Sequence, residues 1–236
     1  MTTAHLDASH GVTGEMLLGA LVDAGAALDV VEAAVRTLGG GAVKMTWAHV
    51  VRGDQRAFSV RVRAPEDTPD VHRWEQVERL LQFVAVDDTV RDLALDVTRA
   101  LFTAEAAVAG VELADLDLPP VGVLDAAANI LGACAAIHDL GITTLDVAPI
   151  GVGEGTVETF VGDLELPAPA VRVLLADFAL VSRPADRELT TAPAAAILNV
   201  LGRPAAVTTV PVPARTGLGA GDRSTSVTAV VRLDLA

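Results

Sequence analysis

The amino-acid sequence predicts a single α/β domain of mixed α+β character, in which flanking helices cover a mixed sheet that includes a β-hairpin. Apolar and polar residues alternate at 43–50 and 57–63, and the turn-forming VRGDQR segment joins these two predicted strands. Long alanine- and leucine-rich segments at about 87–109 and 123–140 predict helices. Because no internal repeat and no linker composition interrupts the chain, residues 1–236 are expected to form one domain.

Two helices are predicted before the hairpin. Residues 14–24 place Met16, Leu17, Ala20 and Leu21 on one helical face, and Gly25 interrupts the pattern. Asp29 followed by Glu32 resembles a capping box, which predicts a second helix that ends at the glycines 39–41.

The remaining elements are predicted from proline, glycine and capping residues, which mark the ends of helices and strands. Asp70 is a candidate N-cap for a helix that contains Trp74, Val77 and Leu81. The other predictions are a strand at 142–150, glycine-punctuated strand and turn at 151–166, a break at 167–170 before a short helix, a helix at 191–202, and closing strands at 205–212 and 224–235.

Composition excludes several classes of function. The net charge of −14 argues against nucleic acid and against anionic membrane surfaces as partners. Cys134 is the single cysteine and lies in an apolar stretch, so an intrachain disulfide is excluded and an inert packing role is expected. No signal peptide and no membrane span is predicted, which makes the expected location cytoplasmic.

The order of motifs along the chain resembles the nickel insertion proteins of the LarC family, which help to complete a nickel-pincer nucleotide cofactor. The resemblance rests on six segments in series: LDASHGVTGEMLLGALVDAG (6–25), HRWEQVERLL (72–81), AEAAVAG (104–110), LPAPA (166–170), ELTTAP (188–193) and GLGAGDR (217–223). It covers the family's N-terminal portion, so a LarC N-terminal-like domain is expected without the family's usual C-terminal domain.

The family's histidine-rich metal motif is altered in this chain. Where the resemblance implies a VHFHEVG-type motif, residues 116–122 read LDLPPVG, with Asp117 and Pro119 at the histidine positions. Two histidines and a glutamate suit a borderline metal such as nickel, whereas leucine and proline supply no ligand. The sequence therefore predicts a retained fold without a metal site.

Five residues are the candidate acids and bases: Asp7, His10, Glu15, Glu105 and Asp125. The first three surround a glycine-containing turn before a helix, where a histidine beside carboxylates suits proton transfer. Alternatively, Thr13 caps that helix and Glu15 complements its dipole. Glu105 has small apolar neighbours, so burial would raise its pKa, although a solvent-facing position is equally compatible with the pattern. Asp125 is also a candidate helix cap.

Five further residues are candidates for substrate binding: His72, Arg73, Glu188, Thr190 and Thr191. Arg73 can clamp a carboxylate with two hydrogen bonds, but His72 and Arg73 equally fit a solvated first helical turn. The ELTT segment 188–191 offers hydroxyls and a carboxylate to a pocket, or caps the following helix. GLGAGDR (217–223) lacks the P-loop pattern and predicts a tight turn between strands.

Three functions compete on this basis. The first is a metal-independent, cofactor-free enzyme of specialised biosynthesis that performs an acid–base condensation or cyclisation, for example of Pictet–Spengler type, on a small-molecule substrate. The second is nickel insertion with a partner that supplies the missing ligands and domain. The third is a non-catalytic binding or scaffold protein. Homo-oligomerisation is compatible with all three.

Overall fold

A computed structural model describes residues 2–65, 71–120, 122–159, 162–206, 212–221 and 230–236. The helices are α1 (Gly14–Asp23), α2 (Leu28–Thr37), α3 (Trp74–Gln82), α4 (Asp88–Ala109), α5 (Val123–Asp139), α6 (Pro169–Leu174) and α7 (Ala192–Leu201). The strands are β1 (Thr2–Asp7), β2 (Lys44–Arg52), β3 (Gln55–Arg63), β4 (Ile142–Val147), β5 (Ile150–Thr159), β6 (Gly162–Leu166), β7 (Leu180–Pro184), β8 (Gly202–Pro204), β9 (Arg215–Ala220) and β10 (Val230–Leu235).

The strands form two sheets. The larger sheet has seven strands in the order β2-β3-β9-β10-β1-β4-β8, and the smaller has three in the order β6-β5-β7. The larger sheet is mixed, because β1 pairs antiparallel with β10 and parallel with β4. The amide of Gly151, at the start of β5, donates to the carbonyl of Ala8 at 2.9 Å and so connects the two sheets. The predicted mixed α/β class is therefore confirmed.

Helix α1 lies directly on the larger sheet, and glycines make this contact possible. A Cβ atom at Gly219 of β9 would lie 1.8 Å from the Met16 carbonyl oxygen, and one at Gly217 would lie 2.1 Å from the Ala20 carbonyl oxygen. Helix α1 also has a glycine in this contact, Gly19, where a Cβ would lie 2.5 Å from the Phe58 carbonyl oxygen. These distances exclude any side chain, so the backbone of α1 touches the backbone of the sheet.

Helices α4, α5 and α7 complete the core on the far side of α1. Helix α5 is buried along most of its length, and its small side chains let neighbouring helices approach closely. Cys134 of α5 is fully buried, and burial raises the pKa of its thiol to about 12, which agrees with an inert packing role. In the described part of the chain, no helix combines the length and apolar character needed to cross a bilayer.

Most predicted elements are present, with differences at their ends. The hairpin β2–β3 pairs from Lys44–Arg63 to Arg52–Gln55, as the alternation predicts. Helix α2 has its N-cap at Ala27 rather than at Asp29. The carboxylate of Asp139 accepts a hydrogen bond from the Ala27 amide at 2.8 Å and so satisfies one backbone donor at the start of the helix. The cap predicted at Asp70, most of the strand at 205–212 and the start of the strand at 224–235 lie outside the described residues.

One prediction in the C-terminal half needs correction, and one strand there was not predicted. The segment 217–220 is part of strand β9 and not a tight turn, because its glycines serve the contact with α1. Strand β7 was not expected from the sequence, since its alternation is short and its residues are largely exposed.

Substitution of Gly219 by alanine is expected to lower the free energy of unfolding by about 1–3 kcal/mol or more, because the new methyl group meets backbone that cannot move aside. Gly221→Ala is the matched control, since among the described residues its Cβ would meet only the flexible Met16 side chain, at 3.4 Å. Urea denaturation of both variants measures the difference. Equal stability of the two variants would show that the α1–β9 contact is not as close as described.

Candidate functional site

A pocket of about 890 Å³ lies where α1, α4, α5 and the segment before α7 meet. Apolar side chains make much of its wall, including Leu101 and Phe102 from α4, Leu118 and Pro119 from the loop before α5, and Val123. The volume falls in the range typical of small-molecule sites.

The turn at residues 8–11 is held tightly between two distant parts of the chain. A Cβ at Gly11, whose φ is +97°, would lie 2.3 Å from the Leu189 carbonyl oxygen, and a Cβ at Gly151 would lie 2.4 Å from the Ser9 carbonyl oxygen. Thr190 stabilises this contact. Its hydroxyl donates a hydrogen bond to the Gly151 carbonyl at 2.7 Å and accepts one from the Val12 amide at 3.2 Å. His10 and the 188–191 segment therefore reach the same pocket.

Six of the ten residues predicted from the sequence line this pocket and four do not. Those that line it are His10, Glu15, Glu105, Asp125, Glu188 and Thr191. Asp7, His72, Arg73 and Thr190 are not among its lining residues. The fold thus brings four of the five candidate acids and bases to one pocket, although their segments lie far apart in the chain.

The four predicted residues outside the pocket have structural contacts. Asp7 accepts the Ser9 amide at 2.9 Å; burial raises its pKa, but the hydrogen bonds from Ser9 and the nearby His10 and His5 outweigh burial and leave the pKa below its usual range. Thr190 is buried in the contact described above. His72 and Arg73 both bind the exposed Asp117, and these hydrogen bonds lower its pKa.

Two of the carboxylates in the pocket are committed to holding the fold. Glu15 accepts the Val62 amide at 3.0 Å and pairs with Arg63, so it ties the start of α1 to β3. Asp125 accepts the Ala64 amide at 2.6 Å and ties the start of α5 to the end of the same strand. Neither carboxylate is free for proton transfer in this arrangement.

The other two carboxylates, Glu105 and Glu188, have no hydrogen-bond or ion-pair partner in the described ranges of the chain. Burial raises the pKa of both groups, and for Glu188 the charge of Glu105 raises it further. Both side chains line the same pocket. The structure thus agrees with the sequence-based expectation that burial raises the pKa of Glu105.

Sequence reasoning missed four polar residues of the pocket: Arg63, Thr98, Asn129 and Arg187. Thr98 precedes Glu105 by seven residues and Asn129 follows Asp125 by four, spacings that place each pair on one helical face. This helical spacing could have identified Thr98 and Asn129 from the sequence. Arg63 and Arg187 gave no comparable signal, because both reach the pocket from outside the helices.

Among the described residues, no group of three or more His, Cys, Asp or Glu side chains is placed to hold a metal ion. Pro119, at a position where the family resemblance implies a histidine, contributes to the apolar wall instead. The arrangement is that of a mixed α/β protein with a mainly apolar pocket of a size typical of small-molecule sites.

Comparison with known proteins identifies the group to which this fold belongs. The model of the nickel insertion protein family matches residues 4–235. The chain belongs to the nickel insertion protein family, which confirms the resemblance seen in its motifs. No solved structure shows a significant match to the chain.

Curated relatives cover nearly the whole chain. It is 40% identical over 227 residues to the pyridinium-3,5-bisthiocarboxylic acid mononucleotide nickel insertion protein of Nocardioides sp., an alignment covering 94% of this chain and 56% of that protein. It is 35% identical over 221 residues to a putative nickel insertion protein of Syntrophobacter fumaroxidans, covering 94% and 56%. It is 31% identical over 238 residues to the Desulfitobacterium hafniense protein that bears the same name as the Nocardioides protein, covering 99% and 58%. The chain therefore spans a little over half the length of these relatives.

The prediction of a metal-independent, Pictet–Spengler-type cyclase is wrong, and so is the partner prediction that left metal out. Relatives that are 40% and 31% identical to the chain are named for nickel insertion, so the family match favours the second function considered from the sequence. The error came from inferring lost metal binding from histidines missing at family positions, chiefly residues 117 and 119. Their absence removes local ligands but says nothing about ligands from elsewhere.

Glutamine at Glu105 or Glu188 is expected to stabilise the protein at neutral pH and to have little effect near pH 4. Each folded-state pKa lies above the ordinary value of 4.5, so the native state holds more protons than the unfolded state once pH exceeds that value. Native stability contributed by these groups is therefore lost as pH rises from about 4.5 through the raised pKa. Urea unfolding across this pH range measures the slope, with the exposed Glu112→Gln as control. A slope unchanged in both variants would contradict the assignment.

Alanine at Asp125 is expected to cost about 1–3 kcal/mol of unfolding free energy, because the Ala64 amide loses its acceptor. Asn at the same position keeps an acceptor oxygen and should recover most of this loss. Chemical denaturation of the two variants separates the hydrogen bond from the charge. If Asp125→Asn is as destabilised as Asp125→Ala, the contribution of Asp125 is electrostatic, through the start of α5.

Proposed function

We propose that this chain acts in nickel insertion into pyridinium-3,5-bisthiocarboxylic acid mononucleotide, with the pocket at α1, α4 and α5 as the site that receives the mononucleotide. The observation that carries the proposal is the large apolar pocket inside the segment shared with relatives named for that reaction. In this proposal nickel is the cargo and the mononucleotide is its acceptor.

The pocket has the chemical features that such an acceptor requires. A mononucleotide combines a flat ring with a phosphorylated sugar, and the lining combines apolar walls with three groups able to carry positive charge: His10, Arg63 and Arg187. The side chains of Arg63 and Arg187 are 56% and 40% exposed, so they lie where the pocket meets solvent. An anionic phosphate at this side would keep much of its hydration.

Nickel coordination begins, in this proposal, with the acceptor itself. The two thiocarboxylates in the relatives' named substrate bring sulfur donors, and soft sulfur ligands suit nickel. The protein then has to orient the ring and exclude water rather than provide a complete ligand set. A protein with this role does not need the family's histidine motif, whose two histidine positions hold Asp117 and Pro119 in this chain.

Nickel insertion is tested by incubating the purified chain with synthetic mononucleotide and Ni²⁺ and measuring the nickel-bearing product by mass spectrometry. Ala126→Phe fills the pocket and is expected to reduce product formation about tenfold or more, since a bulky ring displaces the acceptor. Ala107→Phe on the exposed side of α4 is the matched control and should retain activity. Product formation at the same rate without protein, or undiminished in Ala126→Phe, would overturn the proposal.

A further inference from the structure

Two uncommitted carboxylates in an apolar pocket imply a positively charged ligand. Glu105 and Glu188 line the pocket without a partner in the parts of the chain that the structure describes, while Glu15 and Asp125 are already bonded to backbone amides. Both side chains are half-buried, and removing a carboxylate from water is costly unless a cation or hydrogen-bond donors compensate it. The protein carries this cost next to a cavity rather than in its packed core.

An independent observation also points to a ligand in this cavity. Thr98 is 1% exposed and Asn129 is 7% exposed, and both line the pocket. Within the described ranges of the chain, the Thr98 hydroxyl and the Asn129 side-chain oxygen have no hydrogen-bond partner. Buried polar atoms are nearly always bonded, so two orphaned ones at the same cavity indicate groups that a ligand satisfies.

The spacing of these residues suits a flat molecule with substituents. Thr98 and Glu105 lie on one face of α4, seven residues and therefore about 10 Å apart along the helix axis. Leu101 lies between them on the same face, and Leu118 and Val123 add further apolar wall. A ring can lie along this wall with its charge near the carboxylates and a polar substituent near Thr98 or Asn129.

An organic cation fits this lining better than a bare metal ion. A divalent ion requires several convergent donors, and the described pocket offers two uncommitted carboxylates between apolar walls. An aromatic cation spreads one positive charge over a ring and buries its faces against hydrocarbon. It is also less strongly hydrated than a metal ion, so its transfer into the pocket costs less.

We propose that Glu105 and Glu188 recognise the positive charge of a pyridinium ring, while Thr98 and Asn129 bond to the ring's polar substituents. This inference rests on the proposed function, because the ring in question is that of the pyridinium mononucleotide. It assigns to the two carboxylates the selection of a charged ring over a neutral one of the same shape.

The other charged groups of the pocket leave this role to Glu105 and Glu188. Glu15 is paired with Arg63, and Arg187 binds the neighbouring Asp186 through two contacts of 2.9 and 3.0 Å. Asp125 is held by the Ala64 amide. His10 is exposed and contacts the Ser9 hydroxyl at 3.3 Å.

The experiment compares two ligands that differ mainly in ring charge. Oxidised nicotinamide mononucleotide has a pyridinium ring, and its reduced form has a neutral dihydropyridine ring with the same sugar and phosphate. Isothermal titration calorimetry of the intact chain should show the oxidised form binding about tenfold or more tightly, as expected for a buried charge pair. The preference should fall to within about twofold in Glu105→Gln/Glu188→Gln, and to an intermediate value in each single variant.

Glu112→Gln on the exposed surface is the matched control and should keep the full preference. Equal affinity of the wild-type chain for both ring forms, no binding of either form, or an unchanged preference in the double variant would overturn the inference. So would loss of Ni²⁺ binding alone in the double variant with ring preference intact, which would make the carboxylates metal ligands. Ring preference is read without nickel, so failure of the insertion assay leaves this result separately interpretable.

Discussion

The direct seating of helix α1 on the larger sheet is the constraint on which the site depends. At Gly217 and Gly219 the strand has no side chain, and the helix backbone occupies the space where a Cβ would stand. This contact sets the height of α1 above the sheet, and thereby the position of its first turn, where Thr13 caps the helix and Glu15 reaches β3. The N-terminal turn, α5 and the segment before α7 then pack around that first turn and enclose the pocket. A displacement of α1 would therefore alter the walls of the site that the N-terminal turn, α5 and the segment before α7 provide.

The acidic residues of the pocket divide into two kinds. Glu15 and Asp125 satisfy backbone amides at Val62 and Ala64, so they fasten two helices to the end of one strand. Glu105 and Glu188 remain unpaired in the described structure, and burial raises their pKa values. The first pair stabilises the fold, whereas the second pair leaves two carboxyl groups available to a ligand beside the cavity. Counting carboxylates along the sequence does not reveal this division, because the deciding partners are amides from a distant strand.

The loop before α5 shows how a family position can change its chemistry while the fold is retained. Asp117 is bound by His72 and Arg73, and the Leu118 amide donates to the His72 carbonyl at 3.1 Å. These contacts hold the loop against the start of α3 and direct Leu118 and Pro119 to the pocket wall. Of the two positions where the family resemblance implies imidazoles, Pro119 therefore presents hydrocarbon to the pocket, and Asp117 lies in contacts outside it. An apolar wall at that position favours an organic ligand over additional metal ligands from the same loop.

The sequence alone determined the elements whose signals are local. Alternation at residues 43–63 was sufficient for the β2–β3 hairpin, and helical periodicity was sufficient for α1, α4 and α5, because side-chain direction in these elements repeats at a fixed spacing. The order of motifs was also sufficient for the family. Tertiary structure decided what depended on distant partners: that Asp139 caps α2, that glycines 217 and 219 belong to a strand beneath a helix, and that Thr190 is structural while Glu188 faces the cavity. It also brought to the pocket the Thr98 hydroxyl and the Asn129 side-chain oxygen, neither of which has a hydrogen-bond partner among the described residues. Each of these outcomes depends on contacts between residues that are far apart in the sequence. The local spacing of residue types does not predict such contacts.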